Sequence, residues 1–241
     1  MENEIEQLQK MYDESKNIVF FGGAGVSTES GVPDFRSKDG LYSQKYDYPP
    51  EYMLSRTCYD RQPEEFFKFY KDKMLLDGIE PNAAHLKLAE MERASKLKAV
   101  ITQNIDGLHQ KAGSKVVYEV HGSVLRNYCQ KCGAFYDEKY MKEANGIPIC
   151  EKCGGRVKPD VVLYGEDLDG DVWQKSINAI SNADMLIVAG TSLVVYPAAN
   201  LVSYFRGKYL VIINLQSTYE DGRASLVIRE KVGEVLGQIK A

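Results

Sequence analysis

The sequence predicts an α/β fold: a doubly wound parallel sheet carrying a second, smaller lobe. Three observations predict it. Short runs of Val, Ile, Leu and Phe without polar alternation recur along the chain, as in strands covered by helices on both faces. Segments with helical spacing of apolar residues lie between those runs. Two stretches, 37–78 and 126–158, break the rhythm and read as insertions into the sheet core.

In chain order, Ile5, Leu8, Met11 and Tyr12 recur at helical spacing, so residues 2–15 read as a surface helix. Residues 17–22 are a β-rich run ending in glycines. Further strands are expected at 97–102, 115–120, 183–189, 208–215 and 225–229, with helices at 81–95, 171–181, 197–206 and 231–240. A first crossover unit needs only about thirty residues, so 37–78 is surplus to it. That insertion holds Tyr42, Tyr46, Tyr48, Tyr52 and Tyr59, then a helix opening at Pro63 with Glu64 and Glu65 in its first turn. Phe66, Phe67, Tyr70 and Met74 give that helix an apolar face, read as packing. The division places 1–36, 79–125 and 159–241 in the sheet domain, with 37–78 and 126–158 forming the small lobe.

Thirty Lys plus Arg against 34 Asp plus Glu give a net charge of −4. That balance offers no electrostatic reason to expect nucleic acid or an anionic membrane. The N-terminal segment is acidic and amphipathic, unlike a signal peptide, and no apolar run approaches the roughly 20 residues of a membrane span. A soluble, cytoplasmic monomer is expected.

Five cysteines without an export signal argue against a disulfide framework. Cys58 stands alone and reads as a small buried side chain. The other four form Cys129-x-x-Cys132 and Cys150-x-x-Cys153, with glycines trailing each pair. Two residues between thiolates let a tight turn aim both sulfurs at one ion, and two such knuckles complete a tetrahedron. A closed set of four sulfurs predicts one structural zinc. Residues 126–158 hold seven basic and four acidic side chains, with no recognition-helix pattern for nucleic acid.

After the first strand comes Gly22-Gly23-Ala24-Gly25, where backbone can approach a phosphate and the next helix can receive it. The loop departs from the dinucleotide fingerprint, because Thr28 stands at the third glycine position and no second strand ends in the expected acid. Hydride transfer is therefore disfavoured, and without a Walker lysine so is ATP hydrolysis. Gly31-Val32-Pro33-Asp34-Phe35-Arg36 then sets a carboxylate, an aromatic ring and a guanidinium side by side. Gln103-Asn104-Ile105-Asp106, His121-Gly122, Gly190-Thr191-Ser192 and Asn214 all fall at strand ends, where ligands of open α/β sheets bind. Of three histidines, His85 and His109 read as structural, and His121 as the candidate acid or base.

Together GAGVSTESGVPDFRS, TQNIDGLH, His121-Gly122, the paired knuckles, KPDVVLYGE and AGTSLVVYP follow one another as in sirtuins. The chain resembles that family from about residue 17 to 232. The resemblance implies a Rossmann-like domain, a small lobe made of a zinc ribbon and a helical insertion, and a cleft for NAD and acyl-lysine. Ala24, Gly25, Thr28, Asp34, Phe35 and Arg36 would contact NAD. Gln103, Asn104 and Asp106 would surround its nicotinamide ribose. Gly190, Thr191, Ser192 and Asn214 would hold the adenosine half, with Val232 near the adenine. Val161, Gly165 and Glu166, with Leu193, Val194 and Val195, would border a substrate peptide added as a strand.

The same resemblance explains why no Ser–His–Asp or Cys–His arrangement is evident. By that resemblance the nucleophile would be the substrate's own acyl oxygen, Asn104 and Asp106 would orient ribose and water, Phe35 would shield the reacting centre, and His121 would be the base. Lysine, nicotinamide and 2′-O-acyl-ADP-ribose are the expected products. Family members that prefer succinyl- or malonyl-lysine carry Tyr-x-x-Arg in the helical insertion. Here the nearest match is Tyr70-Lys71-Asp72-Lys73, and Lys lacks the bidentate fork, so acetyl or longer uncharged acyl groups are expected. The alternatives are a mono-ADP-ribosyltransferase on the same scaffold and a non-catalytic zinc- or NAD-binding protein.

Overall fold

A computed structural model describes residues 2–34, 40 and 48–241. Its centre is a six-stranded sheet of β1 (Ile18–Gly22), β2 (Leu97–Thr102), β3 (Val117–Glu119), β7 (Met185–Ala189), β8 (Tyr209–Ile213) and β9 (Leu226–Ile228), ordered β3-β2-β1-β7-β8-β9. Every pairing is parallel. Counting this sheet's strands alone, the order is 3-2-1-4-5-6, with its reversal between β1 and β7, where such sheets open a crevice for a dinucleotide.

The strands are apolar on both sides because helices cover both sides. Ile18 and Phe20 face a core completed by α1 (Glu2–Glu14), α5 (Ala83–Arg93) and α9 (Val232–Leu236). Val19 and Phe21 face the opposite core, built with α8 (Gly170–Ser181) and a 3-10 helix at Ala198–Tyr204. Lys96 secures the end of α1 by donating from Nζ to the carbonyls of Tyr12, Asp13 and Ser15 at 3.1, 2.8 and 2.8 Å, a favourable place for a cation.

Several helices are shorter than the sequence predicts. The segment expected at 197–206 is the 3-10 helix, which buries Ala198 with Leu201 and Ala199 with Val202. That three-residue spacing suits 3-10 rather than α geometry. The closing helix expected at 231–240 stops at Leu236, before Gly237. The helix expected from 81 begins at Ala83, because the Asn82 side chain accepts the Ala84 amide at 3.0 Å and forms a capping box with His85.

The small lobe centres on a three-stranded antiparallel sheet, ordered β5 (Phe135–Tyr136), β4 (Gly122–Cys129), β6 (Val157–Val161), with α7 (Glu138–Glu143) following β5. Two of its strands, β4 and β6, run beyond residues 126–158. From the other insertion come α2 (Pro50–Met53), α3 (Arg56–Arg61) and α4 (Pro63–Met74). On α4, Phe66, Phe67 and Tyr70 are buried as the periodicity predicts, Phe69 joins them, and Met74 is only half-buried. These side chains share one apolar cluster with Val124, Met141 and Val157 of the ribbon. Arg156 strengthens the join, lying 4.9 Å over the Tyr59 ring and donating to the Tyr59 carbonyl at 2.7 Å. Cys58 lies fully buried in the same cluster. Among the described residues no helix is long and apolar enough to cross a membrane.

Candidate active site

The strand ends meet where β1 and β7 diverge. Gly23 donates its amide to the Ala189 carbonyl at 3.2 Å, and Gly25 donates to Gly190 at 2.8 Å. The backbones touch so closely that a Cβ on Gly25 would lie 2.8 Å from the Gly190 Cα. The amides of Gly23 and Gly25 are thereby spent on protein carbonyls. One expectation changes here: among the described residues no α-helix follows the loop directly, only 3-10 turns at Ala24–Val26 and Thr28–Ser30, the second ended by Gly31 at φ +84°.

Around this junction opens a cavity of about 1010 Å³, the scale of a pocket for a large organic ligand. Ala24, Gly25, Thr28, Asp34, Gln103, Asn104, Asp106, Gly190, Thr191, Ser192, Asn214 and Val232 all line it. Phe35 and Arg36 lie outside the described residues. Gln103 donates from Nε2 to Thr191 Oγ1 at 3.0 Å, joining the ends of β2 and β7. Asn214 turns its amide inward on the Gln216 carbonyl at 2.9 Å.

Sequence reasoning missed the hub of this site, Ser27. Its fully buried hydroxyl donates to Asp106 Oδ2 at 2.7 Å and accepts from Asn104 Nδ2 at 2.9 Å. Asp106 also accepts the amide of Leu108, the first residue of α6 (Leu108–Lys111), at 2.9 Å. Both predicted side chains are thus held by one hydroxyl that no spacing rule singles out. Glu29 was missed too: Oε2 accepts the Gly233 amide at 2.7 Å in the first turn of α9, beside Val232. A carboxylate is favoured at a helix N-terminus.

His121 sits in the turn between β3 and β4, where the chain leaves one sheet for the other. Its Nδ1 is 3.1 Å from the Gln103 carbonyl oxygen. A carbonyl can only accept, so Nδ1 carries the proton and Nε2 keeps its lone pair. Burial pushes the His121 pKa down, opposed in part by the Gln103 bond, and the residue lines the cavity. His85 and His109 are fully enclosed, with ring centroids 4.7 Å apart. Neither lines the cavity.

On the far side, Val161, Gly165, Glu166 and Val195 line the cavity. Leu193 is a core residue and Val194 is 51% exposed, and neither lines it. Glu166 pairs with Arg56 at 3.2 Å and with Lys158 at 3.0 Å, and accepts the Leu163 amide at 2.9 Å. Its carboxylate therefore braces the rim. Tyr70 is fully buried, whereas Lys73 lines the cavity.

Cys129, Cys132, Cys150 and Cys153 bring all four sulfurs within 4.8 Å of one another. That spacing and an all-thiolate donor set fit one tetrahedral zinc. The Tyr136 hydroxyl donates to Cys150 Sγ at 3.2 Å and lowers its thiol to about 6.

Residues 23–197 match the model of the Sir2 family. An NAD-dependent protein deacetylase from Clostridium perfringens is 58% identical over 242 residues, covering 99% of each chain. A structure solved for the mechanism and regulation of Sir2 enzymes superposes with a TM-score of 0.89 at 42% identity, over 99% of this chain and 96% of that one. A Sir2 protein solved with a p53 peptide and NAD+ gives 0.85 at 39% identity, over 96% and 95%.

Proposed function

The chain belongs to the Sir2 family, and on that premise we propose that it removes acetyl groups from protein lysines at the expense of NAD. The observation that carries this reading is His121: a buried imidazole whose Nδ1–H donates to the Gln103 carbonyl, leaving Nε2 basic, on the cavity that Asn104 and Asp106 also line. When bound, NAD supplies an electrophilic ribose carbon and nicotinamide as leaving group.

The chain's own residues do the rest. Gln103, Asn104 and Asp106 orient the nicotinamide end, the last two through Ser27. Gly190, Thr191, Ser192, Asn214 and Val232 bind the adenosine end, with Ala24, Gly25, Thr28 and Asp34 between. Phe35 and Arg36 complete that set by family analogy. His121 takes a proton at Nε2. The acetylated peptide enters as a strand between the 161–166 segment and the 193–195 segment; from the latter, Leu193 offers only backbone. The four cysteines would hold zinc with a complete set of four sulfur donors, a structural rather than a catalytic role. The large sheet and its helices form the nucleotide domain, the two insertions the second lobe. Nicotinamide and 2′-O-acetyl-ADP-ribose are the products.

The test is mass spectrometry of an acetyl-lysine peptide incubated with the protein, with and without NAD. NAD-dependent loss of the acetyl group, with nicotinamide released, is expected. Label from NAD retained on protein with the peptide unchanged would instead mark ADP-ribosyl transfer.

A further inference from the structure

β3 is an edge strand of the large sheet and β4 the central strand of the small one, and only Val120 and His121 separate them. The histidine therefore rides on a two-residue link between lobes. Main-chain contacts hold part of this turn. Val162 donates its amide to the His121 carbonyl at 3.0 Å. Gly122, at φ +78°, lies so close to Asp160 that a Cβ would be 1.9 Å from its carbonyl oxygen.

One side chain spans the same turn. Arg126, on β4, donates from Nη1 to Glu119 Oε2 at 2.7 Å and from Nε to Asp160 Oδ2 at 2.8 Å. Glu119 is the last residue of β3 and its side chain is only 8% exposed, while Asp160 belongs to β6. A single guanidinium thus joins the three strands that surround His121. Its donors are fixed in one plane, so it sets direction as well as charge balance. Without it the enclosed Glu119 carboxylate loses this cationic partner, and a buried charge stripped of its partner is costly.

We propose that Arg126 is a positioning residue for acetyl removal: by locking Glu119 to Asp160 it keeps the His121 turn in register with the Gln103 carbonyl and Nε2 on the cavity. This rests on the reading of His121 as the base. Arg126 itself does not line the cavity, and on this proposal its influence passes through the histidine.

The experiment compares wild type, Arg126→Gln, Arg126→Lys and the double variant Glu119→Gln/Arg126→Gln. Acetyl loss is read beside exchange of labelled nicotinamide into NAD, which needs the ribosidic bond to break but no proton removal by His121. Misplacement of the base should slow acetyl loss in Arg126→Gln about tenfold, with exchange held within about twofold. Arg126→Lys should recover part of the loss. The double variant, with the stranded charge removed, should regain stability yet stay slow. In NAD-free protein, the His121 imidazole resonance should move in Arg126→Gln while those of His85 and His109 stay. Acetyl loss near the wild-type rate, an unmoved His121 resonance, or both reactions falling together with zinc content would each overturn the proposal. Failure of the wild type to remove the acetyl group from the peptide in the presence of NAD would instead overturn the deacetylase reading, on which the proposal stands.

Discussion

The imidazole Nδ1 of His121 stands 3.1 Å from the carbonyl oxygen of Gln103, the residue directly before Asn104. One bond thereby sets the tautomer of the base and ties it to the strand end that carries the ribose-binding candidates. Burial holds the His121 pKa below its ordinary value, so the basic form persists to lower pH. The acid limb of kcat/KM should fall below about pH 6.5, and His121→Ala should abolish acetyl loss. A pH–rate profile with its acid limb above 6.5 would contradict this.

Burial also pushes His85 to about 4 and His109 to about 3. In the unfolded chain both return to about 6.5. Below that value the unfolded state holds protons that the folded state lacks. Stability is therefore complete above pH 6.5 and drains away as pH falls, each histidine adding a slope of about 1.4 kcal/mol per pH unit. Urea unfolding at pH 7.5, 5.5 and 4.5 checks this, and His109→Leu should remove one histidine's share of the slope. An unchanged slope in that variant would refute the assignment.

The Tyr136 hydroxyl on Cys150 Sγ orients a zinc ligand from outside the donor set. Loss of such a partner typically weakens metal binding about 10–100-fold. Tyr136→Phe should release zinc to a colorimetric chelator faster than wild type, and Cys150→Ser should be purified with little zinc. Identical release rates for Tyr136→Phe and wild type would show the bond to be idle.

Gly25 cannot take a side chain without forcing β1 and β7 apart, since its Cβ would meet main-chain atoms of Gly190 at 2.8 and 2.9 Å. Gly25→Ala should cost about 1–3 kcal/mol of stability and weaken NAD binding, read by chemical unfolding and by calorimetry. NAD affinity equal to wild type would detach this contact from the site.

An acetyl peptide should be turned over faster than a succinyl peptide. Tyr70 is sealed in the lobe core and does not line the cavity, so it offers no grip for a second carboxylate. Restoring the guanidinium alone, in Lys73→Arg, should leave succinyl turnover low. Faster succinyl than acetyl turnover in the wild type would reverse the assignment.

Much of this was legible from residue patterns. The continuous apolar runs are the six parallel strands, and Phe66, Phe67 and Tyr70 pack as their spacing requires. The paired knuckles do converge on one point. The errors came where local pattern and tertiary demand part company. The segment around Ala198–Tyr204 has helical composition but buries its residues three apart, and the glycine loop runs into 3-10 turns instead of an α-helix.

By itself the sequence determined what short-range spacing can carry: the strand period, the zinc knuckles, the ordered motifs of the family and the place of His121 at a strand end. Only the tertiary structure decided which side chains hold those groups in position. Ser27 reaches Asn104 and Asp106 from about eighty residues away, Glu29 caps a helix near the other end of the chain, and Arg126 bridges Glu119 and Asp160. Those contacts follow from strand order and register, which are set by packing the whole core and leave no mark on the residues immediately around each partner.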